Sequence, residues 1–284
     1  MIPSAFDYAR ATSVEDAVAK LAEAGGAAKL LAGGHSLVPM MKLRLNEPST
    51  LIDIARIPGL SGIQADGDAI AIGAATVHHE VATSDLLADQ CPALAETAAA
   101  IGDPQVRNRG TLGGSLAHAD PAADYPAILL ALDASVELQG PNGARSVAAS
   151  DFFQGLFTVD LGADEIITGI RFAPAKVAAY AKLYQRASRF AVVGVAAALE
   201  VADGKITSAR LGLTGASTHA TRMTASEAAL VGTDATAEAT AEALGDPGAG
   251  IDDVNDDLHA SEGYRRAMVS VFTRRAVAAA LARA

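Results

Sequence analysis

Two segments of this sequence carry residues suited to gripping an anion. The first is Leu30-Leu31-Ala32-Gly33-Gly34-His35-Ser36-Leu37. The second is Gly110-Thr111-Leu112-Gly113-Gly114-Ser115. Each leads into a Gly-Gly pair and then a hydroxyl side chain. Without a Cβ, backbone there can approach a ligand closely. Consecutive exposed N–H groups form concavities that bind anions. Ser36, Thr111 and Ser115 add hydroxyl donors. Acting together, the two segments could hold one diphosphate from two sides; taken singly, each also reads as an ordinary turn. Neither has the form G-x-G-x-x-G or G-x-x-x-x-G-K-[ST], so the mechanics of those nucleotide loops do not apply.

The surrounding pattern supplies the elements that must position these loops. Thr12-Ser13-Val14-Glu15 reads as a capping box, followed by a helix with Val14, Ala17, Val18 and Leu21 in a stripe and Gly25-Gly26 as its stop. Lys29-Leu30-Leu31 is a short strand that delivers the first Gly-Gly loop. Leu37 to Leu43 reads as a short helix with Met40, Met41 and Leu43 inward, which puts the loop at a helix N-terminus, where the dipole favours a phosphate. His35 then reads as a loop residue or a hydrogen-bonding neighbour of the phosphates; a catalytic role would need a reacting atom beside it. Thr50 to Ile54 is a second strand, parallel to the first through the helix, and Ile57-Pro58-Gly59 marks a turn.

Ile63 to Gly73 alternates about Gly67 as an antiparallel pair. Thr76 is a helix cap ahead of His78, His79 and Glu80. Neighbouring histidines diverge on a helix, so no metal site is expected there. Pro92 to Ile101 is an alanine-rich buried helix, preceded by Cys91. Arg107 and Arg109 read equally as cations for a diphosphate or as residues pairing acids such as Asp103. Asp120 and Asp124 suit sugar hydroxyls as carboxylate acceptors, or else the cap of a helix over Tyr125 to Leu132. A hairpin over 134–147, a short helix starting at Asp151, and a strand over Glu165 to Phe172 with Ile166, Thr168, Ile170 and Phe172 on one face complete the first domain. The second domain reads as strands over 180–186, 191–201 and 206–214, then helices over 224–231, 235–244 and 261–283. The last helix packs through Tyr264, Met268, Val271, Phe272 and Arg275. Asp252 to Asp257 is read as a solvated acidic loop.

At 284 residues, half of them hydrophobic, the chain can build a sizeable core, yet it has no apolar run long enough for a membrane span. No signal-peptide pattern opens the sequence, and a cytoplasmic protein is expected. A single cysteine excludes an internal disulfide and an iron–sulfur site made by this chain alone. A formal charge of −11, no Trp and 4% aromatics argue against nucleic acid as a partner.

AGGHSLVPMMKLRL (Ala32–Leu45) followed by TLIDI (Thr50–Ile54), and then QVRNRGTLGGSLAHADPAADYPA (Gln105–Ala127), occur in an order and at a separation that resemble the FAD-binding medium subunits of molybdenum hydroxylases, the xanthine dehydrogenase family. Within the family the likeness is greatest to the aerobic carbon monoxide dehydrogenase branch. The resemblance implies an α+β fold: a two-lobed FAD-binding domain of the PCMH/vanillyl-alcohol-oxidase type over residues 1–174 (lobes about 1–56 and 57–174), then a small C-terminal flavoprotein domain over 175–284 with a three-stranded antiparallel sheet and helices. It implies FAD contacts at Lys29, Leu30, Ala32, Gly33, Gly34, His35, Ser36, Leu37, Ile101, Thr111, Gly113, Gly114, Ser115, Asp124, Ile167, Gln185 and Phe190, with no catalytic residue and no metal ligand in this chain.

The implied partners are an iron–sulfur small subunit carrying [2Fe-2S] clusters and a molybdenum large subunit carrying a molybdopterin cofactor, in a dimer of heterotrimers. The implied role is electron transfer to a quinone or another acceptor, in the cytoplasm or at the inner membrane face through partners. An FAD subunit of an aldehyde, purine or N-heterocycle dehydrogenase is the alternative, and a stand-alone flavin oxidoreductase a further one. Two positions depart from the family pattern: Phe190 stands where a tyrosine is common in the carbon monoxide branch, and Ser115 where an asparagine is common.

Overall fold

The computed structural model describes residues Met1–Ala284. Its first unit runs β1 (Asp7–Arg10), α1 (Val14–Glu23), β2 (Ala28–Leu31), α2 (Leu37–Lys42) and β3 (Thr50–Asp53). The strands form a parallel sheet in the order β1-β3-β2. Ser13 caps α1 by accepting the Asp16 amide at 3.1 Å, and Asp16 accepts the Thr12 amide at 2.9 Å, so the cap sits one residue later than the capping-box reading. The stripe Ala17, Val18 and Leu21 is buried as its spacing predicts. On α2, Met41 is buried but Leu43 is half exposed, because the helix is short and turns out of its stripe at Arg44, whose φ is +58°. β1 was not expected: its residues are exposed on both faces and carry no alternation.

The second unit opens with β4 (Ile63–Asp66) and β5 (Ala69–Gly73). Six short helices follow: α3 (His78–Ala82), α4 (Asp85–Gln90), α5 (Pro92–Ala99), α6 (Pro104–Arg107), α7 (Leu112–His118) and α8 (Tyr125–Ala131). It closes with β6 (Ser135–Gly140), β7 (Gly143–Ala148), α9 (Ala149–Phe152), β8 (Phe153–Gly155), β9 (Thr158–Val159) and β10 (Ile166–Phe172). A five-stranded antiparallel sheet has the order β4-β5-β10-β6-β7. Thr76 does not cap α3; its hydroxyl is tied to the Gly62 amide and carbonyl at 2.9 and 3.2 Å. Asp151 lies inside α9 rather than at its start. The alternation expected along β10 breaks at a bulge between Ile167 and Gly169, so Ile166 and Ile167 are both buried and Thr168 is not.

The third unit is β11 (Ala178–Tyr184), β12 (Ala191–Ala202), β13 (Lys205–Thr214) and β14 (Thr221–Arg222), with α10 (Thr224–Leu230), α11 (Ala237–Leu244) and α12 (Glu262–Leu281). The antiparallel sheet has four strands, not three, because the two-residue β14 adds to β13. The buried face of α12 is Arg265, Val269, Phe272, Ala276 and Ala280, rotated from the expected stripe, and Tyr264 stays exposed. The rotation follows from a buried arginine. Arg265 Nη1 donates to the Val192 and Gly215 carbonyls at 2.7 Å, and Nη2 to Asp257 at 2.7 Å. Asp257 is therefore not a freely solvated member of the acidic loop. Partial burial pushes its carboxyl up, but Arg265 and the amides of His259 and Ala260 hold it below the usual range.

All residues of α8 are buried, and the helix packs against β12 and β13. The segment before it is gripped by the third unit. Gly215 N–H donates to the Pro121 carbonyl at 2.8 Å and Ala191 N–H to the Ala122 carbonyl at 3.1 Å, while the Thr214 hydroxyl lies 2.9 and 2.7 Å from the Pro121 and Ala123 carbonyls. No helix is long and apolar enough to cross a membrane.

Candidate cofactor site

A cleft of about 530 Å³ is lined by residues of both Gly-Gly segments. That is a volume ordinary for a cofactor or small-molecule site. The structure brings together the first segment from Lys29 and Leu30 through Ala32, Gly33, Gly34, His35, Ser36 and Leu37. Ile101, Thr111, Gly113, Gly114, Ser115, Asp124, Ile167 and Phe190 line the same cleft. Gln185 does not. Its Oε1 accepts the amides of Ala187 and Ser188 at 2.7 and 2.6 Å, so this side chain braces the loop that carries Phe190 instead of facing the cleft.

The first loop is built to receive an anion. The amides of Gly33, Gly34, His35 and Ser36 have no hydrogen-bond acceptor in the chain, which leaves four consecutive N–H groups ahead of α2. Gly34 turns the chain with φ +72°, a conformation that side-chain-bearing residues rarely adopt. The Ser36 hydroxyl makes no capping bond to α2 and is free to donate. His35 Nδ1 lies 3.1 Å from the Gly33 carbonyl oxygen, which can only accept, so Nδ1 carries a proton.

The second segment works differently from the expectation of a matching turn. Gly113 and Gly114 lie in the first turn of α7, and Thr111 is its N-cap. The Leu112 and Gly113 amides are given to the Thr76 and Ala74 carbonyls at 3.0 and 2.8 Å, and the Gly114 amide to Thr111 Oγ1 at 3.2 Å. These amides are already used, so this segment cannot grip a diphosphate through them. Gly113 instead lets α7 lie against Ala74, where a Cβ would collide with the Ala74 side chain. Likewise a Cβ on Gly33 would collide with the Arg109 carbonyl, so the two segments pack backbone to backbone. What the second segment offers the cleft is hydroxyl chemistry: the Ser115 side chain makes no hydrogen bond within the chain, although its amide is given to the Thr111 carbonyl at 3.0 Å.

Of the two readings of Arg107, the structure favours fold-holding, since its Nη1 donates to the Ile101 and Gly102 carbonyls at 2.9 and 3.2 Å. Asp103 caps α6 rather than pairing an arginine, accepting the Val106 amide at 2.8 Å. Asp120 accepts the Ala122 amide at 2.8 Å and lines the cleft rim. Asp124 precedes α8 without capping it by its side chain. Its carboxylate meets Tyr180 Oη at 2.6 Å and Lys182 Nζ at 2.8 Å.

Several cleft residues were not anticipated. His78 is buried with Nδ1 3.1 Å from the Tyr125 hydroxyl. Burial first, then the cations near it, bring its pKa down to about 4, so the imidazole is neutral. Its place beside His79 gave no hint of burial. Phe157 takes φ +50° at the β8–β9 tip, and its ring lies 5.2 Å from that of His118. Glu165 is clamped by Arg145 through two bonds of 2.7 Å, which hold its carboxyl below the usual range. That ion pair links residues 20 apart, which no local motif reveals.

Open amides and hydroxyls together with apolar walls that include Leu30, Ile54, Ile101, Leu161 and Ile167 fit a dinucleotide with a diphosphate and a flat ring system. Residues 4–176 match the family described as the FAD binding domain in molybdopterin dehydrogenase, and residues 178–280 the CO dehydrogenase flavoprotein C-terminal domain. The chain is 42% identical over 286 residues to the carbon monoxide dehydrogenase medium chain of Hydrogenophaga pseudoflava, covering 100% of this chain and 99% of that protein. It is 38% identical to the 6-hydroxypseudooxynicotine dehydrogenase complex subunit alpha of Paenarthrobacter nicotinovorans, covering 100% and 97%. A solved chain of the Hydrogenophaga pseudoflava carbon monoxide dehydrogenase that lacks the Mo-pyranopterin moiety superposes with a TM-score of 0.95 at 43% identity, covering 100% of this chain and 99% of that one. The chain thus belongs to the FAD-binding medium subunits of the molybdenum hydroxylases, as a flavoprotein oxidoreductase subunit of the carbon monoxide dehydrogenase kind.

Proposed function

We propose that this chain is the electron-transfer subunit of a molybdenum hydroxylase, holding FAD in the cleft with the diphosphate on the Gly33–Ser36 amides. The four unpaired amides carry this reading. FAD bound there supplies a centre that takes up two electrons and releases them singly. In this reading the electrons come from [2Fe-2S] clusters of a small subunit, after substrate oxidation at molybdenum in a large subunit, and leave to a quinone or another acceptor. The three chains form a dimer of heterotrimers in the cytoplasm. The full-length likeness to a carbon monoxide dehydrogenase medium chain favours carbon monoxide as the substrate of the complex. The likeness to a 6-hydroxypseudooxynicotine dehydrogenase complex subunit and to a nicotine 6-hydroxylase medium subunit favours an N-heterocycle enzyme as the second reading. The division into an FAD-binding part over 1–174 and a C-terminal part over 175–284 belongs to the same proposal.

The cleft's own groups support a relay more than a self-sufficient oxidoreductase. A stand-alone enzyme needs an acid or base poised beside its substrate. Here the three most buried titratable groups of the cleft are engaged: His78 is neutral and bonded to Tyr125, Asp124 is paired with Lys182 and Glu165 with Arg145, while His35, His118 and Asp120 also line it. The purified chain loaded with FAD should therefore show no bleaching of its flavin absorbance by carbon monoxide or a nicotine-like heterocycle. Adding the molybdenum and iron–sulfur subunits should bring bleaching by one of them. Turnover by the lone chain at the rate of the assembly would overturn the relay.

A further inference from the structure

We propose that Lys182 and Tyr180, both on β11 of the C-terminal sheet, are positioning residues of the cofactor cleft, acting through Asp124 and the turn at Ala100–Ile101. The proposal rests on the placement of FAD in this cleft. Asp124 lines the cleft although it is only 5% exposed. A carboxylate so buried is costly unless a cation and hydrogen bonds meet it. Lys182, with its side chain 6% exposed, meets both oxygens at 2.8 and 2.9 Å and also donates to the Ala100 carbonyl at 3.1 Å. Lys182 itself does not line the cleft. Its influence on the cleft must pass through the two groups it holds: Asp124, and the turn that presents Ile101.

Tyr180 donates to Asp124 Oδ1 at 2.6 Å, which fixes the plane of the carboxylate. Space for that hydroxyl is made on the next strand. Gly194 lies opposite Lys182 in the β11–β12 ladder, and a Cβ there would collide with Tyr180 Oη. Carboxylate oxygens have about four lone-pair sites between them, so after these bonds Asp124 can still accept from a hydroxyl in the cleft. The groups that face Asp124 are Lys182 and Tyr180 from β11 and the buried Tyr125 phenol from its own helix. Burial pushes the Asp124 carboxyl up, while Lys182 and then Tyr180 draw it down. Strand β11 thus takes part in cofactor binding without lining the cleft: it sets the orientation and charge of an acceptor that belongs to the FAD-binding part.

The test is FAD titration of apoprotein for the wild type, Lys182→Met, Tyr180→Phe and Gly34→Val, across pH 5 to 8. Tyr180→Phe should weaken FAD several-fold and Lys182→Met about tenfold or more, the range of a bond to a charged group. Without the ammonium Asp124 holds its proton to higher pH, so the acid-side loss of affinity in Lys182→Met should move to higher pH than in the wild type. A residue that only held the fold would lower the melting temperature and leave the pH profile in place. Wild-type affinity and pH profile in both β11 variants, with FAD lost in Gly34→Val, would overturn the role of Lys182 and Tyr180 alone. FAD retained in Gly34→Val would overturn the cleft placement itself. Should Lys182→Met not fold, Tyr180→Phe decides: unchanged affinity refutes the proposal.

Discussion

His78 shows how strongly a single cleft residue is controlled by its surroundings. It is sequestered against Gly110 of the second segment, bonded to Tyr125, and its pKa is brought down to about 4 from 6.5. Below pH 6.5 the unfolded chain takes up a proton that the folded chain refuses. Stability is then lost as pH falls from 6.5 toward 4, by up to about 3 kcal/mol from this group, and is fully present above 6.5. Urea unfolding of the wild type and of His78→Gln at pH 7 and pH 4.5 measures this. The wild type should lose more stability between the two pH values than the variant does, and equal losses would remove His78 as the cause. His78 therefore lines the cleft as a neutral hydrogen-bonding group near neutral pH. Cys91 is similarly inert: it is fully buried, and burial pushes its thiol up to about 12.

At the scale of elements, the sequence was legible wherever one periodicity ran long enough. The stripe of α1, the hairpin β6–β7 and the strands β11, β12 and β13 stand close to where their patterns put them. Three kinds of element escaped. β1 has four residues and no buried face, so only its pairing with β3 defines it. The second Gly-Gly pair reads as a turn, yet Thr111 caps it into a helix whose amides are taken by β5-proximal carbonyls of Ala74 and Thr76. The face of α12 was misjudged because an arginine counts as a surface residue until its partners are known. Of the site, the backbone loop and its hydroxyls were legible from residue type; the ion pairs Asp124–Lys182 and Arg145–Glu165 were not, since they join distant parts of the chain. Arg265 gives a test at this scale. Arg265→Met would leave the Val192 and Gly215 carbonyls without their donor and Asp257 without its cation. The expected cost is about 3 kcal/mol or more, a fall in melting temperature on the order of 10 °C. A shift of under about 2 °C would mean that these bonds are replaced by water.

At the scale of the whole molecule, three sheets converge on one cleft. The parallel sheet delivers the open loop after β2, the antiparallel sheet contributes Ile166 and Ile167 at its bulge, and the C-terminal sheet clasps the 121–124 segment and carries Phe190 on the loop after β11. Phe190 is exposed at 46%, held on a loop braced by Gln185, so it forms a wall that can be covered further by a partner chain. Hydrogen exchange of the apoprotein with and without FAD tests the central arrangement most directly. The amides of Gly33, Gly34, His35 and Ser36 have no partner in the chain and should exchange fast, then slow markedly when FAD binds, while the already bonded amides of Leu112 and Gly113 change much less. Stoichiometric FAD binding that leaves exchange at 33–36 unchanged would contradict the placement of the diphosphate on this loop.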